Sequence, residues 1–260
     1  MTQLTFDGMP EPLYPATPAR LGTYADCPRR YRMAYLDRPA PPKGPPWGHN
    51  SVGAAVHNAL ARWWDLPRSR RTPEAGGALL VSGWLTDGFR DGRQAVAARE
   101  RARAQVERYL ADVDPDDEPV AVDQRREGVV VVDYQTGRSV LTVDTARESL
   151  ALAVYAAGAA HTLHRPCFRV ELHHLPTGDV LAWDHTDETL AEHLRRADSL
   201  AAEMARLDAA LEAGLTSAEA DEAFPARVAA RCGWCDFRAV CGPGRAVPPR
   251  QPWAGVVDDD

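Results

Sequence analysis

Lysine is almost missing from this chain of 260 residues: Lys43 is the only one, and the other 29 basic residues are arginines. Chemistry that needs a lysine elsewhere has no residue to serve it. Long apolar runs are also missing. No stretch of about 18 apolar residues occurs, which excludes a membrane-spanning helix. The opening residues 1–18 have neither a basic start nor an apolar stretch, so they do not read as a secretory signal, and a cytoplasmic location is expected. Cysteine is scarce, with five in all. In a reducing compartment an odd set of this kind points to metal binding rather than to disulfides. No internal repeat is evident.

Apolar residues make up 45% of the chain, enough for a sizeable core, and the length suits one large domain or two small ones. The formal charge of -7 argues against nucleic acid, but its distribution argues for it. Residues 20–43 carry a net +4 and residues 227–250 another +4, so the remainder carries -15. Both basic segments contain cysteines. If they meet in space they form one basic patch on an acidic protein; taken separately they read equally well as solvated helix faces.

Along the chain, residues 1–19 are Pro-rich and read as mobile. "LGTYADCPRRYRMAYLD" has helical spacing of Tyr24, Cys27, Tyr31 and Tyr35, with Pro28 able to open a turn. Ser51 is placed to cap a helix through "VGAAVHNALARWWDL". Helices fill much of 75–112. "PVAVD" and "GVVVVDY" form one strand pair, "CFRVELHHL" and "GDVLAWDH" another. A helix separates the pairs, and residues 187–213 form a long amphipathic helix. Residues 246–260 are a Pro-rich, acidic tail. This order describes a mixed α/β domain over 20–245 with a small sheet.

"CGWCDFRAVC" sets Cys232, Cys235 and Cys241 at Cys-x2-Cys-x5-Cys spacing. Four thiolates are the usual demand of zinc and of an iron–sulfur cluster. Either Cys27 or Cys167 could be the fourth, and a zinc ribbon would instead use two close pairs.

"TYADCPRRYRMAYL" and "CGWCDFRAVC", taken together, resemble the iron–sulfur form of the RecB-like exonucleases of the PD-(D/E)XK nuclease superfamily. The resemblance covers roughly residues 20–243. It implies a restriction-endonuclease-like core, a small mixed sheet flanked by helices, with an iron–sulfur staple joining the N- and C-terminal segments. It implies that Cys27, Cys232, Cys235 and Cys241 hold a [4Fe–4S] cluster, leaving Cys167 as a small buried apolar residue. The staple would bring Arg29, Arg30, Arg238 and Arg245 to one DNA-binding face. Gly53-x3-His57 matches a helix that places a metal-ligating histidine, although without the match His57 reads as a packed helix residue.

"VVVVDYQTGR" stands where the family has Asp-Tyr-Lys-Thr-Gly. Asp133, Tyr134, Thr136 and Gly137 match. Gln135 replaces the lysine that orients the attacking water, and it carries no charge. The family's second metal carboxylate falls on Val120. Asp123, with a hairpin pairing it near Val129 and Pro119 opposite Asp133, would lie roughly 13 Å from the site. Glu118 is the nearer substitute. A family glutamine is also lost at Ala151. The resemblance therefore implies a protein acting on DNA in repair or recombination, with a degraded catalytic site and possible partnership with a helicase or other repair protein. The alternatives are an active Mg2+- or Mn2+-dependent exonuclease in which Glu118 and Gln135 complete the site with His57 and Asp133, and a noncatalytic iron–sulfur DNA-binding module.

Overall fold

The computed structural model describes residues 14–116, 122–123 and 128–256. Helices α1 (Pro18–Asp26) and α2 (Pro28–Tyr35) are one amphipathic stretch broken at Cys27, whose backbone is extended at φ -164°. Pro28 starts the second helix because its missing N–H is not needed in a first turn. Thr17 caps α1, accepting from the Arg20 N–H. Helix α3 (Gly48–Trp64) begins three residues before the expected cap: Ser51 lies inside its first turn, and its hydroxyl donates to the Asp87 carbonyl at 2.8 Å. Helices α4 (Pro73–Ser82) and α5 (Gly92–Ala111) follow as an antiparallel pair. At Gly76 an added Cβ would lie 2.1 Å from Leu110 Cδ1, so any larger residue would force the Leu110 side chain to shift.

The sheet is mixed, in the order β1–β2–β3–β4. Strand β1 (Val122–Asp123) pairs antiparallel with β2 (Gly128–Gln135), with Asp123 opposite Gly128 rather than Val129. Asp123 is therefore about 16 Å along the strand from Asp133, further than the hairpin arithmetic implied. Glu118, Pro119 and Val120 lie outside the described residues. Strand β3 (Arg169–His174) runs parallel to β2, and β4 (Asp179–Asp184) returns antiparallel to it. A parallel neighbour requires a crossover. Here it is made by α6 (Val143–Arg147) and α7 (Leu150–Leu163). Helices α8 (Asp187–Glu212) and α9 (Ser217–Ala223) then lead to the cysteine-rich turns.

Strand alternation sends β2 side chains to two cores. Val129 and Val131 join Val170, Leu172 and the α7 residues Leu152 and Ala156. Tyr134 points the other way, against a core of Val56, Leu60, Trp63, Leu80, Val106 and Leu110 from α3, α4 and α5. A third core ties α1 and α2 to α8 through Leu21, Tyr24, Tyr31, Met204 and Phe224. Burying each large apolar side chain contributes about 1.5–3 kcal/mol.

The described parts of two segments, one expected to be mobile and the other a tail, are packed. Tyr14 shares a hydrogen bond with the Tyr31 hydroxyl and donates to Asp208, both at 2.5 Å. Residues 247–256 fold back across the domain: the Arg250 N–H donates to the Gly233 carbonyl at 2.7 Å, and the Gly48 N–H to the Pro252 carbonyl at 3.0 Å. No helix among the described residues is long and apolar enough to cross a membrane.

Candidate catalytic cleft and cysteine cavity

The C-terminal end of β2, the N-terminal half of α3, the middle of α5 and the returning segment 250–256 enclose a cleft of about 740 Å³. His57, Asp133 and Gln135 all line it. Their mutual geometry is not that of three metal-directed groups. Gln135 donates its amide N–H to Asp133 Oδ2 at 2.6 Å, since residues two apart on a strand share a face. His57 packs edge-on to the ring of Tyr134, 5.9 Å between centroids. Tyr134 is held there by Tyr109 and His173. His173 bonds Tyr109 on one ring nitrogen and Glu171 on the other, and that bond holds the Glu171 carboxyl below its usual range.

Among the described residues, no three of His, Cys, Asp or Glu come together to hold a metal ion. Among the described residues the cleft has one carboxylate, and the amide beside it already occupies one of its oxygens. These residues do not fit a tightly held divalent cation, which takes several oxygen ligands. The cleft is instead cationic. Arg101 from α5, Arg138 from the turn after β2 and Arg250 from the returning segment face it, with Trp47 and Trp234 on its wall. Sequence reasoning missed Arg101, Arg250 and Trp234 as cleft residues, because 149 positions separate the two arginines and no spacing signal joins them.

The second site lies where the chain ends meet. Cys27, Cys232, Cys235 and Cys241 line one small cavity, together with Arg30, Met33, Ala226 and Phe237. All four are free thiols. Cys27 sits at the break between α1 and α2, and its Sγ accepts from the Arg227 N–H at 3.5 Å. The Arg227 and Arg231 guanidiniums donate to the carbonyls of Ala25 and Asp26, closing the C-terminal segment onto the end of α1. The Gly44 N–H bonds the Asp236 carbonyl and the Trp47 indole N–H bonds the Asp236 carboxylate, fastening the loop before α3 to the same turns. Burial pushes the Cys235 thiol up, opposed by the Phe237 N–H and by Arg30. Cys167 lies apart, 2% exposed in the α7 core.

The four arginines expected on one DNA face do different jobs. Arg29 is 8% exposed and is not a surface contact. It pairs with Asp221 at 2.8 Å and donates to the carbonyls of Asp221 and Phe224, because it must bridge α2 to α9 through the interior. Arg238 donates to the carbonyls of Val247 and Arg245, pinning the returning segment. Arg30 borders the cysteine cavity, and Arg245 is exposed.

Residues 15–242 match the PD-(D/E)XK nuclease superfamily. No curated protein matches the chain. The chain belongs to the PD-(D/E)XK nuclease superfamily, whose members are nucleases that generally use Mg2+ or Mn2+ and act on DNA.

Proposed function

We propose that this chain is a RecB-like, DNA-acting protein of repair or recombination in the cytoplasm. In this reading Cys27, Cys232, Cys235 and Cys241 hold a [4Fe–4S] cluster, and the cleavage centre is degraded. The observation that carries it is the Gln135–Asp133 contact of 2.6 Å. A lysine at 135 would bring positive charge to the attacking water and the phosphate; an amide brings none. Here it also competes for Asp133, the one carboxylate of the cleft among the described residues. The DNA contact, a possible helicase partner and the weak or absent cleavage are all part of this reading.

For the cluster, support comes from the cavity itself. Four thiols from opposite ends of the chain face one space. Backbone N–H groups of Arg227 and Phe237 already point at Cys27 and Cys235, as bonds to cluster sulfurs do. When bound, such a cluster supplies redox-active iron and a rigid cross-link.

The test is one anaerobic preparation measured twice. Iron analysis should give about four irons per chain with broad visible absorbance. End-labelled linear DNA with Mg2+ or Mn2+ should be cut no faster than by Asp133→Ala. Colourless protein with one zinc would overturn the cluster. Robust digestion abolished by Asp133→Ala would overturn the degraded centre and point to Glu118 as the missing carboxylate.

A further inference from the structure

The superfamily match stops at residue 242, but the wall of the cleft does not. Residues 250–256 complete it, and with them Arg250, which the match does not include, comes to lie on Trp234, which it does. The guanidinium of Arg250 lies over the indole of Trp234, 4.7 Å from the ring centroid, and both line the cleft. Trp234 keeps 37% of its surface exposed, and Arg250 is exposed.

The pair is held by backbone rather than by chance side-chain packing. Arg250 donates its own N–H to Gly233, the residue before Trp234. A Cβ at Gly233 would lie 2.8 Å from the Pro248 carbonyl, so only glycine lets the two segments approach this closely. The far end of the segment is anchored as well: Arg101 donates to the Val256 carbonyl and Gln94 to that of Trp253. Trp234 stands between Cys232 and Cys235, so the same turns that shape the cysteine cavity also carry the indole.

We propose that Trp234 and Arg250 are the nucleic-acid contact of the cleft: an unpaired DNA strand stacks a base on the indole while its phosphates meet Arg250, Arg101 and Arg138. This rests on the DNA-acting reading above and moves the contact from the cysteine-side arginines to the cleft. Arg250, exposed on the cleft wall, offers a phosphate the charge it needs, and Arg101 and Arg138 line the same wall. An aromatic face beside a guanidinium is the arrangement that binds single strands without reading sequence. A volume of about 740 Å³ has room for one or two splayed nucleotides. Paired bases have no free face to offer an indole.

The experiment measures binding of a fluorescein-labelled 20-nucleotide single strand, and of its duplex, to the full chain by anisotropy across a salt series. Wild-type protein should prefer the single strand. Trp234→Ala and Arg250→Ala should each weaken it by about tenfold, as loss of one stacked base does. Trp234→Phe should recover most of the loss, and Arg250→Ala should also reduce the salt slope by about 1. Iron content and melting temperature measured on each variant identify any that fail to fold; for those, Trp234→Phe and Arg250→Lys decide. Affinity unchanged in Trp234→Ala and Arg250→Ala would overturn the proposal while leaving the DNA-acting reading intact. So would an equal loss in Arg245→Glu, which would return the contact to the cysteine side. Wild-type protein that binds neither DNA at low salt would overturn both.

Discussion

The cysteine cavity and the β2 cleft lie on the same domain and have fared differently. At the cysteine cavity all four candidate ligands face one space, and the segments carrying them are fastened by at least five further hydrogen bonds from Arg227, Arg231, Gly44 and Trp47. At the cleft one carboxylate remains among the described residues, and Gln135 is bonded to it. The difference follows from what each site does for the fold. On the proposed reading, removing a ligand at the cysteine cavity would loosen a loop of roughly 200 residues and cost stability, whereas losing a lysine or a carboxylate at the cleft would cost rate.

The sharpest way to break this comparison is at Cys27. Cys27→Ser should remove the iron and lower stability by about 5 kcal/mol, the loop-closure term for a cross-link spanning roughly 200 residues. Denaturant unfolding monitored with and without iron chelation would show it. Cys167→Ser, in a separate core, should keep the iron. Equal iron loss in both variants would mean that the cavity residues do not act as a set.

At the cleft, the corresponding change is an attempted gain. Restoring one charged group to such a centre is commonly worth about 100- to 1000-fold in rate. Gln135→Lys should nevertheless give no measurable cleavage, because no second described carboxylate stands beside Asp133 to hold a metal. Digestion of end-labelled DNA by Gln135→Lys, dependent on Asp133, would erase the contrast between the two regions.

A smaller effect tests whether the arginines beside the cysteines are structural. Asp221 accepts Arg29 at 2.8 Å and Arg32 at 3.1 Å, and both arginines are nearly buried. Asp221 itself is half exposed, which softens the loss. Asp221→Ala should cost about 1–3 kcal/mol, the penalty of leaving buried donors unpaired. DNA affinity should be unchanged. A fall in affinity with no change in stability would restore Arg29 to a binding role.

The helices and the two strand pairs were legible because each rests on a local signal, period or turn chemistry. The choice of Cys27 over Cys167, and of Asp133 with Gln135, came from the family resemblance and not from spacing alone. Three things were not legible. The start of α3 was missed because Gly48, with no capping side chain, takes its partner from Pro252, about 200 residues away in sequence. Arg29 was read as a surface charge because its partner Asp221 comes from the other end of the chain. The returning segment looked like a tail by composition, although backbone bonds to Gly233 and Gly48 hold it against the cleft. Each miss is a long-range contact that local sequence does not carry.

The smallest effect belongs to neither region and serves as the control for both. His185, between β4 and α8, is 4% exposed. Its N–H bonds the Phe168 carbonyl, Nδ1 meets Thr189, and the ring of His193 lies 5.3 Å away. Nε2 has no hydrogen-bond partner among the described residues, and burial, with His193 beside it, pushes the His185 pKa down. Because the folded value is the lower one, the unfolded chain binds a proton first as pH falls through about 6.5. Stability from this group is full above that pH and declines below it, with a slope of at most about 1.4 kcal/mol per pH unit. The depressed carboxyl of Glu171 acts in the same direction but in the lower carboxylate range, so the two windows separate. Thermal melts between pH 7.5 and 5.5 should show the decline in wild-type protein and a flatter profile in His185→Gln, with the iron content of both unchanged across the window. A wild-type decline that tracks iron loss instead would place the pH sensitivity at the cysteines, and the two regions would no longer be separable by stability alone.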